Sequence, residues 1–155
     1  MSSNAAEVVI VGGGIAGIST AYYLAKAGVA STVIEKNAIG SHASGFAYGG
    51  LGALGGPGIP GPAYQLAAEG MRLHRELAAD LAKSTDINIE FREWPTLSLE
   101  FSQEDAETAK DAVAWQQEQP GYSARWMDPQ DVRSVDDRIS DAVLGGVYVD
   151  GTLDV

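Results

Sequence analysis

Cysteine is absent from the 155 residues. That removes a disulfide framework, a thiolate metal site and a thiol nucleophile. Histidine is nearly absent too: His42 and His74 are the only two. They lie far apart and without paired carboxylate spacing, so no metal site is expected. Basic residues are scarce where acids are dense. Residues 69–155 hold nineteen of the 21 acids and eight of the ten bases, and so carry the entire net charge of −11. No basic face is available for a phosphate backbone, and nucleic acid is excluded as a partner. The acidic half reads as solvated surface. No apolar run approaches the ~20 residues of a membrane span, and Met1 to Val8 lack the basic-then-apolar order of a secretory signal. A soluble, cytoplasmic chain is the expectation. With 45% apolar and 20% charged residues, a packed core is attainable and wholesale disorder is excluded.

What is present in excess is glycine. There are 19, four between Gly12 and Gly17 and nine between Gly40 and Gly61. Both clusters fall in the charge-neutral half, where Glu7 and Glu35 balance Lys26 and Lys36. Glycine gathered in this way marks backbone that turns sharply or approaches something closely. A ligand is to be sought there.

The run Glu7-Val-Val-Ile-Val11 predicts a buried strand, and Ile15 to Gly28 a helix whose end Gly28 caps in the left-handed conformation. Ser31 to Glu35 predicts a second strand. Strand, helix and strand in so short a span make a βαβ unit with parallel strands. Residues 36–62 have no period and are dense in Gly, Ser and Pro, so they read as one long loop, of the kind that is usually functional. Ala63 to about Lys83 predicts a helix with a stripe of Leu66, Gly70, Leu73, Leu77 and Leu81. Ile87, Ile89 and Phe91, then Leu97, Leu99 and Phe101 after a Trp94-Pro95 break, predict two strands joined by a turn. Ser102 or Gln103 to about Gln119 predicts a helix, Asp128-Pro129 opens a short one, and Gly146–Val149 is a last short strand. No internal repeat is visible.

Gly12-Gly-Gly14-Ile-Ala-Gly17 is a G-x-G-x-x-G that follows a strand and opens a helix, with Glu35 ending the next strand 23 residues after Gly12. That context is the dinucleotide fingerprint. Gly12 permits the tight turn, Gly14 lets a pyrophosphate sit on backbone N–H groups at the helix N-terminus, and Gly17 lets helix pack on strand. Ile15 and Ala16 complete that cradle. Glu35 is placed to accept from the adenosine ribose hydroxyls, and its charge disfavours a 2′-phosphate, hence NADP. The fingerprint by itself leaves NAD and FAD open.

Three segments carry a resemblance: Val8 to Gly17, then Val33-Ile-Glu-Lys36, then Ala43-Ser-Gly-Phe-Ala-Tyr-Gly-Gly-Leu51. Together they resemble the N-terminus of the D-amino-acid oxidase (DAO) family of FAD-dependent oxidoreductases, which includes glycine and sarcosine oxidases. The third is similar to that family's A-S-x-x-x-x-G-G-[LI] loop, and argues against a nicotinamide enzyme. Gly145-Gly-Val-Tyr-Val149 with Asp154 resembles the family's G-G-x-Y-x…x-D-P. The resemblance implies an α/β fold: a Rossmann-type FAD-binding βαβ unit with its glycine-rich flavin loop over 1–62, then part of an α+β substrate domain over 63–155. It implies FAD as cofactor and an amine or amino acid as substrate, with hydride passing to the flavin. By the same resemblance Lys36 lies beside the adenosine, Ala43 and Ser44 near the phosphates, and Gly49, Gly50 and Leu51 against the isoalloxazine.

Members of that family are longer, and the strands and substrate-gripping groups they add lie beyond the point matching Val155. The expectation is therefore a truncated N-terminal portion, inactive alone. A non-catalytic split subunit or fragment needing a second chain to complete the FAD site is the alternative. No catalytic residue is nominated within the chain. Ser41, His42 and Ser44 invite a hydrolase reading, but there is no G-x-S-x-G elbow and no acid in the loop; the resemblance would put His42 near the cofactor, while the residue itself reads as an exposed loop histidine. His74 and Trp94, Trp115 and Trp126 are read as packing residues. Asp136-Asp137 and the Glu104–Glu107 cluster are read as solvated helix-end charge.

Overall fold

Val8–Val11 (β1) is built of β-branched residues that favour extended backbone, and the strand ends where Gly12 takes a φ of +104°. A computed structural model describes residues 7–56 and 58–155. Met1–Ala6, the start read above for a leader, and Pro57 lie outside the described residues. Ile15–Lys26 forms helix α1 and Ser31–Ile34 strand β2. The helix ends as its glycine predicts: Gly28 has a φ of +77°, and its N–H donates to Ala25 O at 3.0 Å. Strands β1 and β2 pair in parallel, from Val8 opposite Ser31 to Val11 opposite Ile34. A short 3₁₀ turn follows over Ala43–Phe46.

The remaining elements are β3 (Gly50–Leu51), α2 (Ala63–Ser84), β4 (Arg92–Glu100), α3 (Gln103–Gln117), β5 (Ser123–Met127), α4 (Pro129–Val135) and β6 (Gly145–Asp154). Strand β6 is the axis of an antiparallel sheet. Along one side it pairs with β4; along the other it pairs with β5 and, at its end, with β3, where Leu51 faces Leu153. Alternation sends Val147, Val149 and Ala124 to one face, against Val113 of α3 and Leu54. It sends Leu97, Leu99 and Tyr148 to the other, with Met127, Val132 of α4 and Val143. Met71 of α2 packs with Ala53 and Leu153. Ser102 caps α3 by accepting from the Asp105 N–H at 3.1 Å, as a serine at that position should.

The chain forms two compact units, one ending at Tyr48 and one spanning Gly49–Val155. The resemblance puts the end of the FAD-binding part later, at residue 62. Pairing of Gly50 and Leu51 with β6 draws that stretch into the second unit. Every buried apolar side chain among the described residues lies in the second unit.

Some expectations about individual elements need correction. The stretch 36–62 is not one long loop: it holds the 3₁₀ turn, β3, and Ala53 and Leu54, which are core residues. Gly/Pro density hides them because they are buried by distant partners rather than by local period. The two strands expected around Trp94-Pro95 are one, β4, which runs through the proline with a register shift between Trp94 and Thr96. A bulge on a strand with a single described neighbour tolerates the missing N–H. Ile87 is exposed, and 87–91 is not a strand. In α2 the buried residue is Met71, whereas Leu66 of the expected stripe is exposed. Strand β5 was not expected at all, and β6 is longer than Gly146–Val149.

Candidate dinucleotide site

The first unit is organised around the glycine fingerprint. Gly12 turns the chain out of β1 while its N–H donates to Ile34 O at 2.8 Å. Gly17 faces that turn so closely that a Cβ on it would lie 2.0 Å from Gly12 O. Gly14 is the N-cap of α1 and offers no side chain to it. The cap is supplied from elsewhere: the Ile15 N–H donates to Ser44 Oγ at 2.9 Å. A Cβ on Gly14 would press on that hydroxyl at 3.1 Å. No acidic residue stands in the first turn of α1, so the positive end of the helix dipole is not neutralised by its own sequence.

Glu35, just past β2, reaches back to the fingerprint. One carboxylate oxygen accepts from the Gly13 N–H at 2.6 Å, the other from the Asn37 N–H at 2.8 Å. These bonds, Asn37 first and Gly13 second, lower the carboxyl below its ordinary value of 4.5. A carboxylate has about four lone-pair sites, so two backbone donors leave capacity for hydroxyls. Because the folded-state value is depressed, the charged group's contribution to holding this loop is complete above pH 4.5 and is lost as pH falls through the lowered value. The Gly13 and Asn37 amide resonances should therefore shift together in one acid transition with its midpoint below 4.5; a midpoint at or above that value would contradict the pairing.

Gly14, Glu35, Ala38, Gly40, Ser41, His42, Ala43 and Ser44 line a cleft of about 180 Å³. Gly40 shapes it, with a φ of +69° and its N–H on Gly13 O at 2.9 Å. Of the residues nominated from sequence, Gly14, Glu35, Ala43 and Ser44 meet at this cleft. Gly12 and Gly17 do not line it but pack against each other where β1 meets α1, Ile15 bonds Ser44, Ala16 follows in the helix, and Lys36 is exposed beside Glu35. Gly49, Gly50 and Leu51 belong to the second unit. There Gly49, at a φ of +87°, sits so close to Val155 that a Cβ would lie 2.0 Å from its carbonyl oxygen. Sequence reasoning missed Gly13 and Asn37 as the carboxylate's donors. The signal for Asn37 was its place two residues after Glu35, within reach of an Asx-type turn.

The other side chains weighed fall outside this cleft. His74 hydrogen-bonds Gly70 O of its own helix at 2.8 Å. Trp115 packs edge-on against Tyr64, and Trp126 donates to Asp128 at 3.2 Å with Lys110 over its ring. Trp94 is half exposed. Asp136 is held at about 2 by Arg138, which hydrogen-bonds its carboxylate. Among the described residues no three His, Cys, Asp or Glu side chains gather closely enough to hold a metal ion, and no helix is long and apolar enough to cross a membrane.

Residues 7–155 match the family model of the DAO, FAD-dependent oxidoreductases. The chain belongs to this family. A glycine oxidase from Bacillus licheniformis is 29% identical over 143 residues, which cover 92% of this chain and 37% of that protein. The crystal structure of glycine oxidase from Geobacillus kaustophilus superposes with a TM-score of 0.86 at 29% identity, covering 96% of this chain and 40% of that one. That from Bacillus cereus gives 0.81 at 29% identity. L-amino acid deaminase from Proteus vulgaris, at 19% identity and a TM-score of 0.79, shares the fold. The chain thus spans about two fifths of the relatives it matches.

Membership of the DAO family brings FAD as cofactor, and the residues present fit the adenosine-pyrophosphate end of it. The cradle has glycine where a Cβ would intrude on Ser44, an N-terminus without acid, and a carboxylate with lone pairs to spare. At about 180 Å³ the cleft is smaller than the ~300–1,000 Å³ of a complete small-molecule site. It suits part of a dinucleotide. The α/β architecture agrees with the glycine oxidase structures over the shared length.

Proposed function

We propose that this chain supplies the dinucleotide-binding portion of an FAD-dependent oxidase or dehydrogenase acting on the C–N bond of a small amino acid or amine. The observation that carries the reading is the Gly13–Glu35 and Ile15–Ser44 pair of bonds, which joins fingerprint, ribose carboxylate and phosphate loop around one cleft. Glycine oxidases among the relatives support a small amino acid as the substrate class.

In this reading Gly12 to Gly17 hold the pyrophosphate, with the dipole of α1 favouring its charge. Ser44 gives its hydroxyl to a phosphate oxygen, Ala43 leaves the approach open, Glu35 accepts from the ribose, and Lys36 flanks the adenosine. Gly49 and Gly50, lacking side chains, and Leu51 form a close backbone surface for the isoalloxazine. Bound FAD supplies the hydride acceptor at its N5. The contribution of this chain is positioning, and none of its residues is assigned as acid or base. Titrating the full-length protein, this chain together with the polypeptide that completes its site, with FAD, NAD and NADP by equilibrium dialysis tests the binding role. FAD should be retained, and NADP held at least ~10-fold more weakly, because Glu35 repels a 2′-phosphate. A preference for NADP, or no retention of FAD, would overturn it.

The site is completed by further polypeptide, whether continuous with this chain or supplied by a second one. Favouring this, Val9, Val11 and Ile34 on one face of the two-stranded sheet are more than half exposed, whereas parallel sheets are buried on both faces. Stoichiometric FAD binding with turnover of an amine by the isolated chain would defeat this part of the reading.

A further inference from the structure

His42 lines the cleft and is hydrogen-bonded to Asn37. Asn37, whose N–H donates to Glu35, places its side-chain Nδ2 2.7 Å from Nε2 of His42. Asn37 thus holds the Glu35 carboxylate through its backbone N–H and the His42 imidazole through its side-chain amide. Of the residues lining the cleft, only Glu35 and His42 carry titratable side chains. With its carboxyl lowered, Glu35 is negative throughout the neutral range, so a pyrophosphate would enter a cleft whose one fixed charge has the same sign as its own. The dipole of α1 offsets part of this repulsion. Lys36, next to Glu35, is not among the lining residues. His42 is the one lining side chain able to become positive.

We propose that His42 is a proton-sensitive counter-charge for the phosphates of an adenine dinucleotide: the ligand binds with uptake of a proton on the imidazole, and affinity rises as pH falls. The inference rests on the dinucleotide reading of the same cleft. Its stereochemistry is consistent at both ends of the titration. In the neutral ring Nε2 accepts from Asn37 Nδ2, which leaves the ring proton on Nδ1. In the charged ring both nitrogens donate, and Asn37 turns its amide so that Oδ1 faces Nε2. The pair persists while the cleft gains a positive charge. The charged group that lines the cleft with His42 is Glu35, and Lys36, which follows it, is exposed. The 3₁₀ turn and the first turn of α1 contribute hydroxyl and backbone groups and no acid.

ADP-ribose is the probe, because it carries adenosine and pyrophosphate without a flavin. Its pyrophosphate is a diester and stays ionised through the range where imidazole titrates. Calorimetric titration of this chain from about pH 8 to about pH 5.5, in two buffers of different ionisation enthalpy, reads affinity and proton uptake together. The wild type should bind roughly fivefold more tightly at the acid end, the scale of a partly exposed charge pair, and take up a fraction of a proton. His42→Asn retains a hydrogen-bonding side chain next to Asn37 and should bind with less than about twofold variation over the same range. His42→Ala serves as a second variant, with circular dichroism matched to the wild type. Equal pH dependence in His42→Asn and wild type, or affinity falling toward acid, overturns the role of His42 while leaving the dinucleotide reading intact. Absence of ADP-ribose binding to the wild type at every pH overturns both.

Discussion

Replacing Gly17 by alanine should weaken dinucleotide binding by about 100-fold while the Gly49–Val155 unit stays folded. The added Cβ would lie 2.0 Å from Gly12 O and 3.1 Å from Gly12 C, with Ile10 Cγ2 at 3.4 Å. These first two are backbone atoms, and Gly12 cannot retreat freely because its N–H is bonded to Ile34 at 2.8 Å. Relief must come from moving α1 away from β1. Overpacking of this kind costs about 1–3 kcal/mol or more, and the first unit has no buried apolar side chain among its described residues to absorb it. Moving α1 displaces its N-terminus, the Ile15–Ser44 bond and the cleft together, and about 2.8 kcal/mol corresponds to 100-fold in affinity. Gly70→Ala is the contrast. Gly70 lies inside α2 with no atom within 4 Å of where an alanine Cβ would sit, so alanine there should be neutral or stabilising by up to about 1 kcal/mol. Binding of FAD or ADP-ribose to Gly17→Ala within twofold of wild type would refute the packing argument.

Leu153→Ala should destabilise the second unit by about 3 kcal/mol, within the ~2–5 kcal/mol found for buried leucines. Leu153 is 2% exposed and packs with Ala53 and Met71, with Leu51, Phe91 and Tyr122 around them. Its neighbours come from α2, β3 and the chain before β4, elements that cannot all close on a cavity at once. The effect reaches β3 because Leu51 is paired with Leu153 across β3 and β6. Urea unfolding should show a lower midpoint at unchanged slope, and hydrogen exchange at the Leu51 amide should quicken. A loss under about 1 kcal/mol would mean that Leu153 is not a centre of this core.

The comparison of sequence with structure divides along chain separation. The strand–helix–strand unit was legible because each signal is local: β-branched runs, helical spacing, and Gly28 at the position where the helix must stop. The fingerprint was legible for the same reason, and so was the family, since its motifs are short and contiguous. The interior of the second unit was not. Strand β5, Ser-Ala-Arg-Trp-Met, has little pattern of its own and exists by pairing with β6, Ser123 against Asp150. Pro95 marks a break in sequence, but in the sheet it sits at a register shift that a strand on one side of β6 can carry. Ala53 and Leu54 look like loop residues until α2, α3 and the sheet close over them.

The cleft shows both halves at once. Sequence alone determined that a glycine turn would meet a helix N-terminus with an acid following the next strand, because backbone sterics and the βαβ unit demand it within a few dozen residues. Tertiary structure decided what those groups do. Glu35 bonds to Gly13 across 22 residues, and Ser44 caps Ile15 across 29. The structure keeps His42 an exposed loop residue, as read from sequence, and shows in addition its bond to Asn37 and its place in the cleft lining. Hydrogen bonds of that reach depend on where the folded chain carries each donor and acceptor, and no local propensity encodes them.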